Sequence, residues 1–267
     1  MHTVAVTNRK GGVGKSSLTT NLAAALALDG KRVLVIDMDS QASSTAVFLN
    51  ELPASAPTTA HVLIGQATLA DIIRPSTREG VFIAPASREL TAAQLSIVAR
   101  TGRETILRRA LRAIDEYDLV LIDTAPEQQL ATVNSLVAAQ HVLMPFTPDP
   151  KALEGLQTTT EAVAEIRAAE LSDATILGCV QVAHDKRLSV TEQARDQVRA
   201  AYGEVLLETR IRSNSSFIVC PAWHRDIFDI ERGERAPRRG SDDYRALASE
   251  VSQRLGWKEA CHAQVAG

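Results

Sequence analysis

The run Lys10-Gly11-Gly12-Val13-Gly14-Lys15-Ser16-Ser17 gathers three glycines, two lysines and two hydroxyls within eight residues. A short apolar run at residues 2–7 precedes it, and an amphipathic stretch at residues 16–28 follows. Glycines let backbone N–H groups close around phosphate oxygens, because no Cβ blocks the approach. A helix starting near Ser16 would aim the positive end of its dipole at the same anion. In that arrangement Lys15 bridges the β- and γ-phosphates of a nucleotide, and the Ser16 hydroxyl ligates Mg²⁺. The spacing is not the strict phosphate-loop pattern, which places glycine where Arg9 stands. A second lysine, Lys10, sits just inside the loop instead.

Two further segments carry carboxylates where such a loop needs them. Val33-Leu34-Val35-Ile36-Asp37-Met38-Asp39 is an apolar strand pattern ended by Asp37 and Asp39. In a doubly wound sheet the strand C-termini face the ligand crevice, so these groups could position water or join the Mg²⁺ shell. Asp118-Leu119-Val120-Leu121-Ile122-Asp123 repeats the layout, with Asp123 placed to hold Mg²⁺, often through water.

The elements that must position these groups follow from alternation along the chain. Strand-like runs at residues 2–7, 32–36, 81–84, 119–122, 141–144 and 176–182, with a short one at 204–207, alternate with helical patterns at 16–28, 103–114, 153–169 and 191–201. This alternation predicts an α/β fold, a doubly wound and mostly parallel sheet flanked by helices. The 267 residues are 45% hydrophobic but only 4% aromatic, which predicts an aliphatic core suited to a buried parallel sheet. Residues 53–59 and 232–243 read as loops, the latter leading into a last helix at 243–255. Residues 1–256 are expected to form one phosphate-loop domain, with 257–267 a tail that shows no folded pattern.

Composition narrows the function classes. No apolar run is long enough to span a bilayer, and no basic leader with an apolar core is expected at the start. Cys179, Cys220 and Cys261 are odd in number and far apart, which points to free thiols in a reducing compartment rather than a disulfide or metal site. Net charge is −3, yet from Lys186 to Arg239 eleven Lys/Arg face eight Asp/Glu.

With these segments in place, the chain resembles the ParA/MinD family of deviant-Walker ATPases over nearly its whole length. KGGVGKSS matches the family's KGGVGK[ST][ST], LIDTAP resembles its Walker B stretch, and GVFIAPASREL and HVLMPFTPDPKALEGL follow in the family order. VLVIDMDSQASS resembles its second motif, with Ser40 and Ala42 where the family usually has Pro and Gly. The resemblance implies that Lys10 is the signature lysine that reaches across a face-to-face dimer to the partner's ATP. It implies nucleotide binding by Lys10, Gly11, Gly12, Val13, Gly14, Lys15, Ser16 and Ser17, and Mg²⁺ binding by Ser16, Asp37 and Asp123. Asp39 matches the aspartate that orients the attacking water, and Lys10, Lys15 and Asp39 are the implied catalytic groups. ATP and Mg²⁺ are the implied cofactors, and slow hydrolysis the implied switch.

What the switch acts on is a separate question. Residues 256–267 hold one lysine, one glutamate and one large aromatic, a poor amphipathic membrane anchor. The cysteines do not suit the cluster-bridging branches of the family. The resemblance is to the ParA branch, whose ATP dimers bind DNA without sequence preference through basic residues of the C-terminal third. The candidates are Lys186, Arg187, Arg210, Arg212, Arg225, Arg235, Arg238 and Arg239. The family's stretch close to IPRN and LSEA is replaced by Arg212-Ser213-Asn214-Ser215-Ser216-Phe217, and His184, Trp223 and His224 nearby read as packing or surface residues. The resulting expectation is a cytoplasmic, nucleoid-associated partition or cargo-positioning ATPase. It would form a homodimer on ATP, bind nonspecific DNA, answer to a ParB-type adaptor, and have no membrane partner. Its alternatives are a MinD-like membrane-associated spatial regulator and a metabolic ATPase of the dethiobiotin-synthetase kind.

Overall fold

The computed structural model describes residues 1–126, 129–185, 189–233 and 239–257. One sheet is built from β1 (His2–Val6), β2 (Val33–Met38), β3 (Arg74–Pro75), β4 (Val81–Ala84), β5 (Leu119–Thr124), β6 (His141–Phe146), β7 (Thr175–His184) and β8 (Leu206–Arg212). The α-helices among the described residues are α1 (Lys15–Leu28), α2 (Ser43–Phe48), α3 (Thr59–Ile64), α4 (Leu69–Ile72), α5 (Glu89–Ser96) and α6 (Ile106–Leu111). They continue as α7 (Leu130–Ala138), α8 (Ala152–Ala168), α9 (Ser189–Tyr202), α10 (Ser216–Val219), α11 (Ile227–Gly233) and α12 (Arg239–Arg254).

The strand order is β3-β4-β2-β5-β1-β6-β7-β8. Neighbours run parallel except β3, which lies antiparallel on the edge against β4. Helices cover both faces, so the central strands need apolar side chains on each side and read as unbroken Val/Ile/Leu runs. Val33 and Val35 of β2 point into the cluster shared with Leu22 of α1 and Leu247 of α12. Leu34 and Ile36 point the other way, toward Leu63 of α3 and Leu107 of α6. Each such side chain, fully withdrawn from water, contributes roughly 1.5–3 kcal/mol.

The connections place the crevice. After β1 the chain crosses one way to β2, and after β5 it crosses the other way to β6. The C-terminal ends of β1 and β5 therefore flank a switch point of the kind where open α/β sheets bind ligands. Register sets Val6, Asp123 and Asp37 in one row across β1, β5 and β2 at that edge.

Three of the expected elements shift by several residues. Residues 232–243 are not a loop throughout, because α12 already starts at Arg239. The buried Glu231 carboxylate accepts the N–H groups of Gly240 and Ser241 (2.9 Å each) and the Ser241 hydroxyl (2.7 Å), capping a helix start rich in weak formers. The strand expected at 204–207 is β8, displaced to Leu206–Arg212. Its N–H groups at Glu208 and Thr209 donate to the Glu250 carboxylate of α12, which blunts this edge. The helix expected over 103–114 begins as a 3₁₀ turn and is α-helical only from Ile106 to Leu111. Asn134 of α7 grips it there, accepting from Leu107 N and donating to Arg103 O.

Candidate active site

The phosphate loop leaves β1 and enters α1 through Gly12 and Gly14, both at φ 73°. A side chain is strained at that angle, so these two positions call for glycine. No side chain caps the N-terminus of α1. Its first N–H groups are thus left for a ligand, and an anion is the ligand that the dipole favours. Lys15 folds over the loop, its Nζ donating to the Lys10 carbonyl at 3.3 Å. Burial lowers its pKa, against the opposing pull of Asp123 and Asp39. A cavity of about 380 Å³ opens here, lined by Gly12, Lys15 and Ser16 on one side and Asp39 and Gln41 on another.

Asp37 and Asp123 are fully buried and directly paired on adjacent strands. Burial pushes both carboxyl groups above their ordinary range; Asp123 adds to the effect on Asp37, and the Ser44 and Ser16 hydroxyls oppose it at Asp123. Their surroundings differ. Asp37 Oδ1 accepts from Asp39 N at 3.0 Å, and Oδ2 accepts from Thr45 N at 2.9 Å and Thr45 Oγ1 at 2.8 Å. Asp123 Oδ2 accepts from Ser44 Oγ at 2.6 Å, while Oδ1 is buried and has no hydrogen-bond partner among the described residues. A lone buried carboxylate oxygen beside a serine hydroxyl and an uncapped helix start fits a hard cation that keeps few protein ligands. Among the described residues no group of three His, Cys, Asp or Glu could hold a metal by itself. Phosphate oxygens and water would therefore complete the shell around Ser16 and Asp123.

Asp39 lies two residues beyond Asp37, directly past the end of β2, and lines the cavity. Its backbone N–H is tied to Asp37, and its Oδ1 accepts from Gln41 N at 2.9 Å. Ala42, where the turn enters α2, sits at φ 54°, a left-handed angle at which glycine is unstrained.

Lys10 is held at the rim. Its Nζ lies 2.5 Å from Asp149 Oδ2, and both side chains are about one-third exposed. Burial disfavours charge on Asp149, but hydrogen bonds from Lys10, Thr147 and Lys151 N outweigh it and keep its pKa low. The backbone beneath is clamped to α8 and β6: Asn8 Nδ2 donates to Pro145 O, Lys10 N to Asn8 Oδ1, and Arg9 N to Thr159 Oγ1. Gly155 of α8 permits this approach, since a Cβ there would lie 2.9 Å from Asn8 Oδ1.

Comparisons with known proteins agree with this geometry. Residues 1–176 match the family model described as an AAA domain. The chain is 35% identical over 253 residues to the chromosome-partitioning ATPase Soj of Thermus thermophilus, covering 94% of this chain and 96% of that one. It is 33% identical over 251 residues to the sporulation initiation inhibitor protein Soj of Bacillus subtilis, covering 93% and 97%. The chain belongs to the ParA/Soj family of P-loop ATPases. A solved structure of cobyrinic acid a,c-diamide synthase from Mycobacterium smegmatis, with bound ATP analog and magnesium, aligns with a TM-score of 0.80 at 26% identity over 96% of each chain.

The ATPase fold treats the expected basic residues unequally. Lys186, Arg187, Arg235 and Arg238 lie outside the described residues. Arg210 is ion-paired with Glu192, and Arg212 is ion-paired with Asp243 and donates to Arg239 O. Arg225 and Arg239 are exposed and form no ion pair among the described residues. His184 is buried and Trp223 is 60% exposed, while His224 Nδ1 donates to Ala46 O of α2 at 2.7 Å. Ser44, Thr45, Asn8, Asp149 and Gly155 were not among the expected site residues. The hydroxyl pair Ser44-Thr45 directly after the Asp39 turn was the available sign, since such side chains there can reach strand-end carboxylates.

Proposed function

We propose that this ATPase is a partition or cargo-positioning switch, in which an ATP-bound sandwich dimer holds nonspecific DNA and a ParB-type adaptor triggers hydrolysis and release. The observation that carries this reading is Lys10, about one-third exposed at the rim of its own phosphate cradle and held there by Asp149, an acid whose place a second protomer's phosphates could take. The chromosome-partitioning relative from Thermus thermophilus, alike over nearly the whole chain, supports the same reading. A cytoplasmic, nucleoid-associated setting follows from this reading.

Each group has a stated task. The loop N–H groups and Lys15 bind and orient the β- and γ-phosphates, and Lys10 adds charge in trans. Asp39 orients a water for in-line attack. Ser16 and Asp123 hold Mg²⁺, which neutralises charge on the phosphate oxygens when bound. Asp37, with both oxygens already engaged, anchors α2 rather than ligating the ion directly. Of the described candidates in the C-terminal third, Arg225 and Arg239 are free to meet DNA phosphates, because they form no ion pair among the described residues.

Binding to nonspecific duplex DNA with ATP, with ADP and without nucleotide, across a salt series, tests this function. ATP-specific, salt-sensitive binding is expected. Absence of binding in every state, with ATP-driven dimerisation intact, would redirect the load to a membrane or a protein surface. Lys10→Ala is expected to weaken dimerisation in ATP, and an unchanged sedimentation profile would remove the trans role.

A further inference from the structure

The helix α2 has only six residues, yet consecutive side chains in its first turn reach both buried carboxylates of the crevice. Thr45 takes Asp37, and Ser44 takes Asp123. Ser44 is itself fully buried, and its 2.6 Å hydrogen bond spans 79 residues of sequence. That bond holds Oδ2 from α2, while Oδ1 is buried and has no hydrogen-bond partner among the described residues; the Ser16 hydroxyl is the other serine acting on this carboxylate.

The rest of α2 is braced against movement. Ala86 N donates to Thr45 Oγ1 at 3.0 Å, His224 Nδ1 to Ala46 O at 2.7 Å, and Thr77 N to Phe48 O at 3.0 Å. At its N-terminal side Ala42 N donates to Asp39 O at 2.9 Å, so the same short element continues into the turn that bears Asp39. A hydroxyl mounted on a braced helix is a fixed anchor for a carboxylate, unlike one on a free rotor. Outer donors of this kind orient ligating carboxylates and change metal affinity when lost.

We propose that Ser44 is a positioning residue, which holds Asp123 with one oxygen turned to the Mg²⁺ site and mechanically joins that carboxylate to the Asp39 turn. The inference rests on the reading that Asp123 serves the ion. Ser44 touches neither nucleotide nor ion in this role. It acts through Asp123.

The test is a Mg²⁺ titration of the full chain with a fluorescent, non-hydrolysable ATP analogue, comparing the parent, Ser44→Ala, Asp123→Asn and the double variant. Ser44→Ala is expected to raise the half-saturating Mg²⁺ concentration about tenfold, while leaving analogue affinity in EDTA unchanged. In the Asp123→Asn background the same change should add nothing. A Ser44→Ala midpoint equal to the parent's, or a full additional shift in the double variant, overturns the proposal while leaving Asp123 as the metal carboxylate. If Asp123→Asn does not move the midpoint either, the metal reading itself fails. Thermal melts monitor folding, and Ser44→Cys, similar in size but a weak donor, carries the same comparison should the alanine variant not fold.

Discussion

Asp37 and Asp123 are buried side by side, and the protein accepts the cost of placing two acids where water cannot reach them. Such a pair weakens the fold unless a cation enters, so removing one charge should stabilise the empty protein while harming its chemistry. Asp123→Asn is expected to raise the melting temperature in EDTA by a few degrees, about what 1 kcal/mol produces in a chain of this size. The gain from Mg²⁺ and nucleotide together should shrink in the same calorimetric scans. An unchanged or lower melting temperature in EDTA would show that the neighbours already satisfy both carboxylates. Asp39 is different, since its backbone is fixed while the residue lines the cavity. Asp39→Ala should bind ATP with parent affinity and lose turnover by about 100-fold, read from phosphate release alongside a binding isotherm. Ala42 sets a smaller test: at φ 54° it is strained, and Ala42→Gly should raise the urea midpoint by the equivalent of about 0.5–1 kcal/mol.

At the scale of elements, α8 decides where Lys10 stands, because Gly155 lets Asn8 lie against the helix. Gly155→Ala should press on Asn8 Oδ1 and Lys10 Cβ, costing about 1–3 kcal/mol in urea unfolding. It should also weaken ATP-driven dimerisation in sedimentation, whereas Gly12-bearing loop geometry and monomeric ATP binding should persist. Parent-like dimerisation would mean that Lys10 does not depend on this clamp. The same scale explains what was legible beforehand. The strands ending in Asp37 and Asp123 were visible because a doubly covered sheet demands unbroken apolar runs, and a carboxylate at the end of one stands out. The loop before α1 was visible because positive φ angles leave glycine little competition. By contrast α10 has four residues and α11 seven, too short for helical periodicity to register. The start of α12 was hidden for another reason: its cap, Glu231, belongs to α11, and no local pattern announces a cap supplied by another element. Ser44 and Asp149 carry no local signal for the same reason, because their value lies in contacts 79 residues away and across the mouth of the loop.

At the scale of the molecule, the net charge of −3 makes unspecific affinity for DNA a matter of local placement rather than overall attraction. The structure sorts the described arginines into two kinds, those spent on acids and those left open. Arg210 is balanced by Glu192, whereas Arg225 is exposed and unbalanced among the described residues. Counterion release turns this difference into a measurable slope, since each phosphate contact contributes about 0.9 to the dependence of log K on log salt. A two-fold dimer doubles the effect of every substitution. Arg225→Gln should therefore flatten the slope in ATP by about 2, and Arg239→Gln by a similar amount. Arg210→Gln should leave it nearly unchanged, because the pair it breaks carried no net charge to the surface. Equal flattening by Arg210 and Arg225 variants would mean that DNA opens the Glu192 pair and that paired arginines are also recruited. No flattening in any of them, with ATP-dependent binding preserved, would assign the contacts to basic residues other than these three. A slope that falls by about 1 rather than 2 would point to a single protomer on the duplex, and so to a switch that loads DNA before it closes.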